Sequence, residues 1–120
     1  MLFRSLRDAI RQWGNIAGIV AGLMKGDHAL IGRSLEDVLI EPVRSILIPG
    51  FDAIKKKSKD AGALGGGISG SGPSIFMLSS EHLTALQVEQ EMKAIYTAIG
   101  LDHHTYVTRI CAKGTRITIQ

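Results

Sequence analysis

The sequence has one cysteine, few aromatic residues and no apolar run of membrane-spanning length, and each shortage excludes a class of protein. With Cys111 alone, no disulfide bond can form within the chain. Proteins that bind single-stranded nucleic acid usually combine a basic groove with stacking rings, and aromatic residues are only 5% of this sequence. The apolar stretch at residues 16–24 is too short for a membrane helix of about 20 residues. We therefore expect no nucleic acid and no membrane as partners and, with no signal-peptide pattern, a cytoplasmic location.

The length and the charge balance are typical of an ordinary globular domain. The 120 residues carry a net charge of +3, with 45% hydrophobic and 21% charged residues. A chain of this length is expected to form a single domain over residues 1–120. The basic residues cluster only at Lys55, Lys56, Lys57 and Lys59. Such a run usually lies on the solvated face of a helix, and we expect that here.

The first part of the chain has the pattern of a capped helix. Ser5 and Asp8 have the spacing of a capping box, and apolar residues then recur at helical spacing. That apolar stripe consists of Leu6, Ile10, Trp13, Ala17, Val20 and Met24. Gly14, Gly18 and Gly22 interrupt the same helix at a cost of about 1 kcal/mol each relative to alanine. We therefore expect a buried helix that packs very closely against another element.

The rest of the chain predicts an α+β domain. A second helix capped by Asp27 is expected next, then a further turn capped by Ser34 and Asp37. Pro42 predicts an extended segment at 41–44, and Pro49 and Gly50 predict a turn. The remaining expected elements are helices at 51–60 and 81–99 and strands at 63–69, 74–79, 105–110 and 115–119. Cys111 would be a packed thiol at the end of the third strand. Helices followed by this strand order predict a ferredoxin-like antiparallel four-stranded sheet packed on helices.

A glycine-rich loop between the first two predicted strands is the most informative motif. Residues 65–74 contain five glycines and three serines, followed at once by the strand-forming residues 75–78. Glycines can direct several backbone N–H groups into one concavity that suits an anion, or they can simply form a tight hairpin connection. The loop has neither the Walker spacing nor the dinucleotide-binding spacing, so both interpretations stay open.

This loop in its setting, residues 61–74, resembles the third motif of the GHMP small-molecule kinases. Residues 12–15, 37–44, 47–51 and 114–117 make it similar, within that superfamily, to the members that phosphorylate the hydroxyl of L-homoserine on the route to threonine. The resemblance runs from Leu6 to the C-terminus and corresponds to the C-terminal half of such an enzyme. It implies that ATP and Mg²⁺ are held by an N-terminal domain whose phosphate-loop pattern is absent from this sequence. The expected consequence is a chain without catalytic residues of its own, inactive alone.

The resemblance also implies roles for particular residues. The glycine-loop residues expected beside the active site are Ser69, Gly70, Ser71, Gly72 and Pro73. Arg44 matches the arginine that faces the amino-acid substrate, and its guanidinium fork suits a carboxylate. The alternative for Arg44 is a structural ion pair with Glu41 or Asp37. Gly67 stands where some members have a hydroxyl residue, so a side-chain contact from that position is lost.

Other candidate residues favour structural roles. His103 and His104 are adjacent on a predicted strand, where side chains point to opposite faces, so no metal site is expected. Trp13 is expected in the core or at an interface. The missing domain would leave an apolar patch, so we expect self-association, with a homo-oligomer as the result. The competing functions are a ferredoxin-like regulatory module that binds a small molecule and a self-association domain.

Overall fold

The computed structural model describes residues 5–118, beginning with two helices joined by a tight turn. Helix α1 (Leu6–Lys25) is capped by Ser5, whose hydroxyl accepts a hydrogen bond from the Asp8 backbone N–H. Gly26 ends α1 in the left-handed conformation, at φ 66°. Asp27 then caps helix α2 (His28–Ser34) by accepting a hydrogen bond from the Leu30 N–H at 2.9 Å. Both predicted caps are therefore confirmed.

The close packing predicted for the glycines of α1 is confirmed for two of the three. A Cβ atom added at Gly18 would lie 2.2 Å from Ser34 Oγ, and one at Gly22 would lie 2.7 Å from Ile31 Cγ1. A Cβ atom at Gly14 would meet nothing within 4 Å. The backbone of α1 thus lies directly against α2 along Gly18 and Gly22.

The prediction that α1 is a buried helix is wrong. Seven of its large apolar side chains are at least half exposed: Leu6, Ile10, Trp13, Ile16, Val20, Leu23 and Met24. The glycine face meets α2, whereas this apolar stripe lies on a different face of the helix. No element within residues 5–118 covers that face.

The segment at 41–44, predicted to be extended, is instead a helical turn, α3 (Glu41–Arg44), followed by a 3₁₀ turn at Ser45–Leu47. Pro42 lies in the first turn of α3, where its missing N–H costs nothing. The preference for an extended residue before proline is outweighed by Asp37, whose carboxylate accepts hydrogen bonds from the N–H groups of residues 39, 40 and 41. Of the two side chains predicted to cap a further turn, Asp37 binds N–H groups at the start of α3, but it is not the N-cap residue, which is Ile40.

The second half of the domain forms around a long helix and a hairpin. Helix α4 (Phe51–Asp60) starts after Gly50, at φ 74°, and precedes Gly62, at φ 102°. Strands β1 (Gly65–Ile68) and β2 (Ile75–Leu78) pair antiparallel, with Gly65 opposite Leu78 and Ile68 opposite Ile75. Helix α5 (His82–Ile99) packs against α4 and ends at Gly100. The buried apolar side chains are Ile31, Ile48, Phe51, Ile54, Ala63 and Val88.

The sheet has two strands within residues 5–118, so the prediction of four strands is wrong for the described part of the chain. No strand forms at 105–110 or at 115–118, and Ile119 of the last predicted strand lies outside the described residues. A strand needs a neighbouring edge to satisfy its backbone groups. Here the segment comes after α5 in the chain and contacts that helix through the Thr105 hydroxyl, which donates a hydrogen bond to Glu89 Oε1 at 2.6 Å.

The exposure of this C-terminal segment overturns one further prediction. Cys111 is exposed, not a packed thiol, because the strand that would have packed it does not form. Tyr106, Ile110 and Ile117 are exposed as well. Within residues 5–118, the helices are all too short or too polar to span a membrane.

Candidate functional site

The glycine loop closes the hairpin between β1 and β2. The Ser69 N–H donates to the Ser74 carbonyl at 2.8 Å, and the Gly72 N–H donates to the Ser69 carbonyl at 3.1 Å. Gly70 and Gly72 have φ values of 60° and 82°, which L side chains rarely adopt, and the bond between Gly72 and Pro73 is cis. The loop geometry therefore accounts for these glycines as a tight connection, and it leaves the exposed tip accessible to a ligand.

Arg44 contacts this loop, although 27 residues separate it from Ser71 in the sequence. Its Nη1 donates to the Ser71 carbonyl oxygen at 2.7 Å. The ion-pair alternative for Arg44 is not what forms among residues 5–118, because Glu41 pairs with Lys55 and Asp37 binds backbone N–H groups. The fold thus brings together the two features that the sequence marked separately, the arginine and the glycine loop.

The ion pair between Glu41 and Lys55 was missed by the sequence analysis. Lys55 Nζ donates a hydrogen bond to Glu41 Oε1, and the side chains of Lys55 and Glu41 are only 19% and 13% exposed. Lys55 also lies 5.7 Å from the centre of the Phe51 ring. The prediction of a solvated lysine face is confirmed for Lys56, Lys57 and Lys59 and is wrong for Lys55. The helical spacing of the sequence could have indicated this pair, since Lys55 lies on the same face of α4 as the buried residues Phe51, Ile54 and Ser58.

Gly67 of strand β1 lies directly against this pair. A Cβ atom at Gly67 would lie 2.7 Å from Glu41 Oε2. The sequence predicts that a glycine at this position loses a side-chain contact that some family members make. In the structure, the Glu41 carboxylate occupies the space next to Gly67. Between α1, residues 34–41 and the hairpin is a cleft of about 130 Å³, lined by residues that include Gln12, Asp37, Glu41, Gly67 and Phe76.

Polar side chains of α1 fix the rim of this cleft. Gln12 Oε1 accepts a hydrogen bond from the Val38 N–H at 3.0 Å, and Asn15 Nδ2 donates to the Glu36 carbonyl at 2.8 Å. Arg11 lies 3.6 Å from a Glu36 carboxylate oxygen on the surface. The residues of the 12–15 motif therefore hold the loop that leads into α3 and Arg44.

The remaining candidate residues lie away from the cleft. His103 Nδ1 is 2.9 Å from the Leu101 carbonyl, and its ring lies 5.4 Å from that of Tyr96, whose pKa is raised by burial. Trp13 is 59% exposed on α1, so it is not a core residue. Within residues 5–118, no three His, Cys, Asp or Glu side chains converge in a way that could hold a metal ion.

Comparison with known proteins identifies the family. Residues 19–98 match the family described as GHMP kinases C terminal. The match covers more than half of the chain, so the chain belongs to this family, and the resemblance inferred from the motifs is confirmed. The observed helices with a small antiparallel sheet are the α+β domain of that family.

The relatives described next are named homoserine kinase. The chain is 48% identical over 115 residues to a homoserine kinase from Chlorobium phaeovibrioides, covering 94% of this chain and 36% of that protein. It is 46% identical over 114 residues to one from Chlorobaculum tepidum, covering 93% and 35%. A crystal structure of homoserine kinase from Cytophaga hutchinsonii is 54% identical, with a TM-score of 0.79, covering 82% of this chain and 31% of that one. The chain therefore spans about a third of the length of the relatives it matches.

Proposed function

We propose that this chain is the acceptor-side part of a homoserine kinase, an enzyme that transfers a phosphoryl group from ATP to the side-chain hydroxyl of L-homoserine. The observation that carries the proposal is the contact of Arg44 with the Ser71 carbonyl, which joins the arginine motif to the glycine loop. The names and identities of the relatives support the same activity. In this proposal, the polypeptide that binds the nucleotide lies in the two thirds of the relatives that this chain does not match.

Arg44 would bind the carboxylate of the substrate. A guanidinium has five N–H donors in a planar fork, and the Ser71 carbonyl accepts one of them. The remaining donors can bind a carboxylate bidentately, which would hold the amino acid in one orientation. Because Arg44 is also fixed to the loop, the bound acceptor would lie at a defined distance from Ser69, Gly70, Ser71, Gly72 and Pro73.

The glycine loop would support the phosphate side of the reaction. Phosphoryl transfer depends on alignment and on neutralising charge more than on covalent chemistry by the protein. Ser69 and Ser71 offer hydroxyl groups at an exposed tip, and the backbone there has no Cβ at Gly70 or Gly72 to hinder approach. The described residues form no group of metal ligands, so we assign no step through Mg²⁺ to this chain.

The test is a fusion protein. The chain replaces the matching 115-residue segment of the Chlorobium phaeovibrioides homoserine kinase, and ADP release is measured with and without L-homoserine. We expect homoserine-dependent turnover by the fusion and none by the 120-residue chain alone. A fusion that melts cooperatively yet shows no homoserine-dependent turnover, beside an active unmodified relative, would contradict the proposal. Turnover by the chain alone would contradict the division of roles.

Substitution of Arg44 in the fusion tests its role. We expect Arg44→Ala to raise the KM for L-homoserine by about 10- to 100-fold, since hydrogen bonds to a charged group contribute about 1.5–3 kcal/mol. The KM for ATP should change less than about twofold, because Arg44 would not contact the nucleotide. Arg44→Lys keeps the charge without the planar fork and should recover only part of the affinity. An unchanged KM for L-homoserine would remove Arg44 from the substrate site.

A second function, self-association, is favoured by the exposed apolar face of α1. Its side chains from Leu6 to Met24 form a continuous stripe that nothing within residues 5–118 covers. We propose that two copies of the isolated chain pair through this face.

A regulatory module that binds the amino acid alone is the other alternative, and calorimetric titrations with L-homoserine and with ATP distinguish it from the kinase part. Tight binding by the 120-residue chain would favour such a module, and no heat with either substrate would favour the kinase part.

A further inference from the structure

We propose that the ion pair of Glu41 and Lys55 is a positioning unit, which acts on substrate binding only through Arg44. This inference rests on the proposed function and names two further residues that would control it. Neither side chain needs to contact the substrate. Their role would be to hold the helical turn α3 in the orientation that places the Arg44 guanidinium on the glycine loop.

The pair connects α3 to the core. Glu41 is the first residue of α3 and Arg44 is its last, so one turn of helix separates the ion pair from the guanidinium. Lys55 belongs to α4, whose neighbouring residues Phe51 and Ile54 are buried. Because Lys55 is carried by this rigid element, its bond to Glu41 anchors the start of the turn at one place.

Two further features fit Glu41 to its place: room for its carboxylate beside Gly67, and a hydrogen bond to its main chain. Gly67 offers no Cβ, and its backbone lies beside Glu41 Oε2. Asp37 accepts a hydrogen bond from the Glu41 N–H at 3.2 Å as well as from the two preceding N–H groups. The main chain and the side chain of Glu41 are thus held from opposite ends of the residue.

Arg44 itself has little other restraint. Its side chain is exposed, and among residues 5–118 its hydrogen bond is to the Ser71 carbonyl. A long exposed side chain loses rotamer freedom when it is fixed, so its preferred position depends on the backbone that carries it. Loss of the Glu41–Lys55 bond would leave a partly buried charge without its partner and let α3 shift. A displaced guanidinium would bind the substrate carboxylate less tightly, so the loss should appear in the KM for L-homoserine.

The test uses the fusion protein with Lys55→Met, which removes the charge and keeps most of the apolar stem. We expect a roughly tenfold rise in the KM for L-homoserine, within the range that coupled neighbours show. The kcat and the KM for ATP should change less than about twofold, since neither property is assigned to this pair. Lys55→Arg keeps the charge and should stay within about threefold of the unsubstituted fusion. Lys56→Met, on the exposed face of the same helix, is the matched control and should change nothing.

The decisive measurement repeats Lys55→Met in the Arg44→Ala fusion, with kcat/KM for L-homoserine as the readout. If the pair acts through Arg44, the second substitution has no further effect there. An equal loss in both backgrounds, or a fall in kcat with an unchanged KM, would overturn the proposal. If Lys55→Met fails to fold in a thermal melt, Glu41→Gln carries the same test, because it keeps the shape of the side chain.

Failure of this inference is distinguishable from failure of the proposed function. An unsubstituted fusion that has no homoserine-dependent turnover overturns both. A fusion that turns over L-homoserine normally, and is indifferent to Lys55→Met and Glu41→Gln, overturns the positioning role alone.

Discussion

The contact between α1 and α2 predicts opposite effects for the same substitution at two glycines of one helix. Gly14→Ala introduces a methyl group with nothing within 4 Å. Alanine is favoured over glycine in a helix by about 1 kcal/mol, so this variant should be more stable by about that amount. For a domain of this size, the melting temperature should rise by roughly 3–6 °C.

Gly22→Ala gains the same helix propensity but meets a buried neighbour. The new Cβ atom would lie 2.7 Å from Ile31 Cγ1 and 3.1 Å from the Ile31 backbone nitrogen, and Ile31 is only 3% exposed. Overpacking of this kind costs about 1–3 kcal/mol. Since the propensity gain is common to both variants, Gly22→Ala should be less stable than Gly14→Ala by about 1–3 kcal/mol.

The measurement is urea unfolding of the 120-residue chain followed by circular dichroism, at one low protein concentration so that self-association is held constant. The double variant Gly22→Ala with Ile31→Ala removes the colliding Cγ1 atom. Alanine at 22 should therefore be better tolerated in that background than in the unsubstituted chain. If Gly22→Ala stabilised the chain as much as Gly14→Ala, the close approach of α1 to α2 would be refuted.

Three shorter predictions concern the loop, the C-terminal segment and the exposed helix face. Gly70→Ala should destabilise the chain by about 1–2 kcal/mol in urea unfolding, because its φ of 60° is unfavourable for an L side chain, and Gly70→Asn should cost less. Hydrogen bonds from Lys93, and to a smaller extent from Thr105, hold the pKa of Glu89 below its ordinary value. The ionised Glu89 therefore stabilises the fold at a pH above its ordinary pKa, and this stabilisation is lost as the pH falls through the lowered pKa. In an NMR titration, Lys93→Met should therefore raise the pKa of Glu89 more than Thr105→Val does, and the reverse order would contradict the assignment. The emission of Trp13, the only tryptophan, should shift to shorter wavelength with rising concentration if α1 pairs with a second copy, and sedimentation as a clean monomer at high concentration would exclude that pairing.

The parts of the fold that sequence could predict are those decided within a few residues. The Ser5 and Asp27 caps depend on local backbone chemistry, and both formed as expected. The turn at 41–44 could not be predicted from Pro42 alone, because the Asp37 carboxylate several residues earlier decides it. The two C-terminal strands failed for a related reason, since an alternating pattern does not reveal whether a partner edge is present.

The candidate site divides in the same way. Motif resemblance marked Arg44 and the glycine loop, yet no local pattern could show that they touch across 27 residues. The Glu41–Lys55 pair was hidden because Lys55 stands in a run of lysines whose other members are solvated. Lys55 differs from the other lysines in its position on the helix, one turn after the buried Phe51.

The absence of a side chain at Gly67 has an evolutionary consequence. The carboxylate of Glu41 lies in the space that a side chain at 67 would occupy, so a larger residue there requires that carboxylate to move. Homologues with serine or alanine at 67 should therefore often have a different residue in place of glutamate at 41, and in those sequences lysine at 55 should be replaced as well. Positions 41, 55 and 67 are therefore expected to covary as a triplet among homologous sequences.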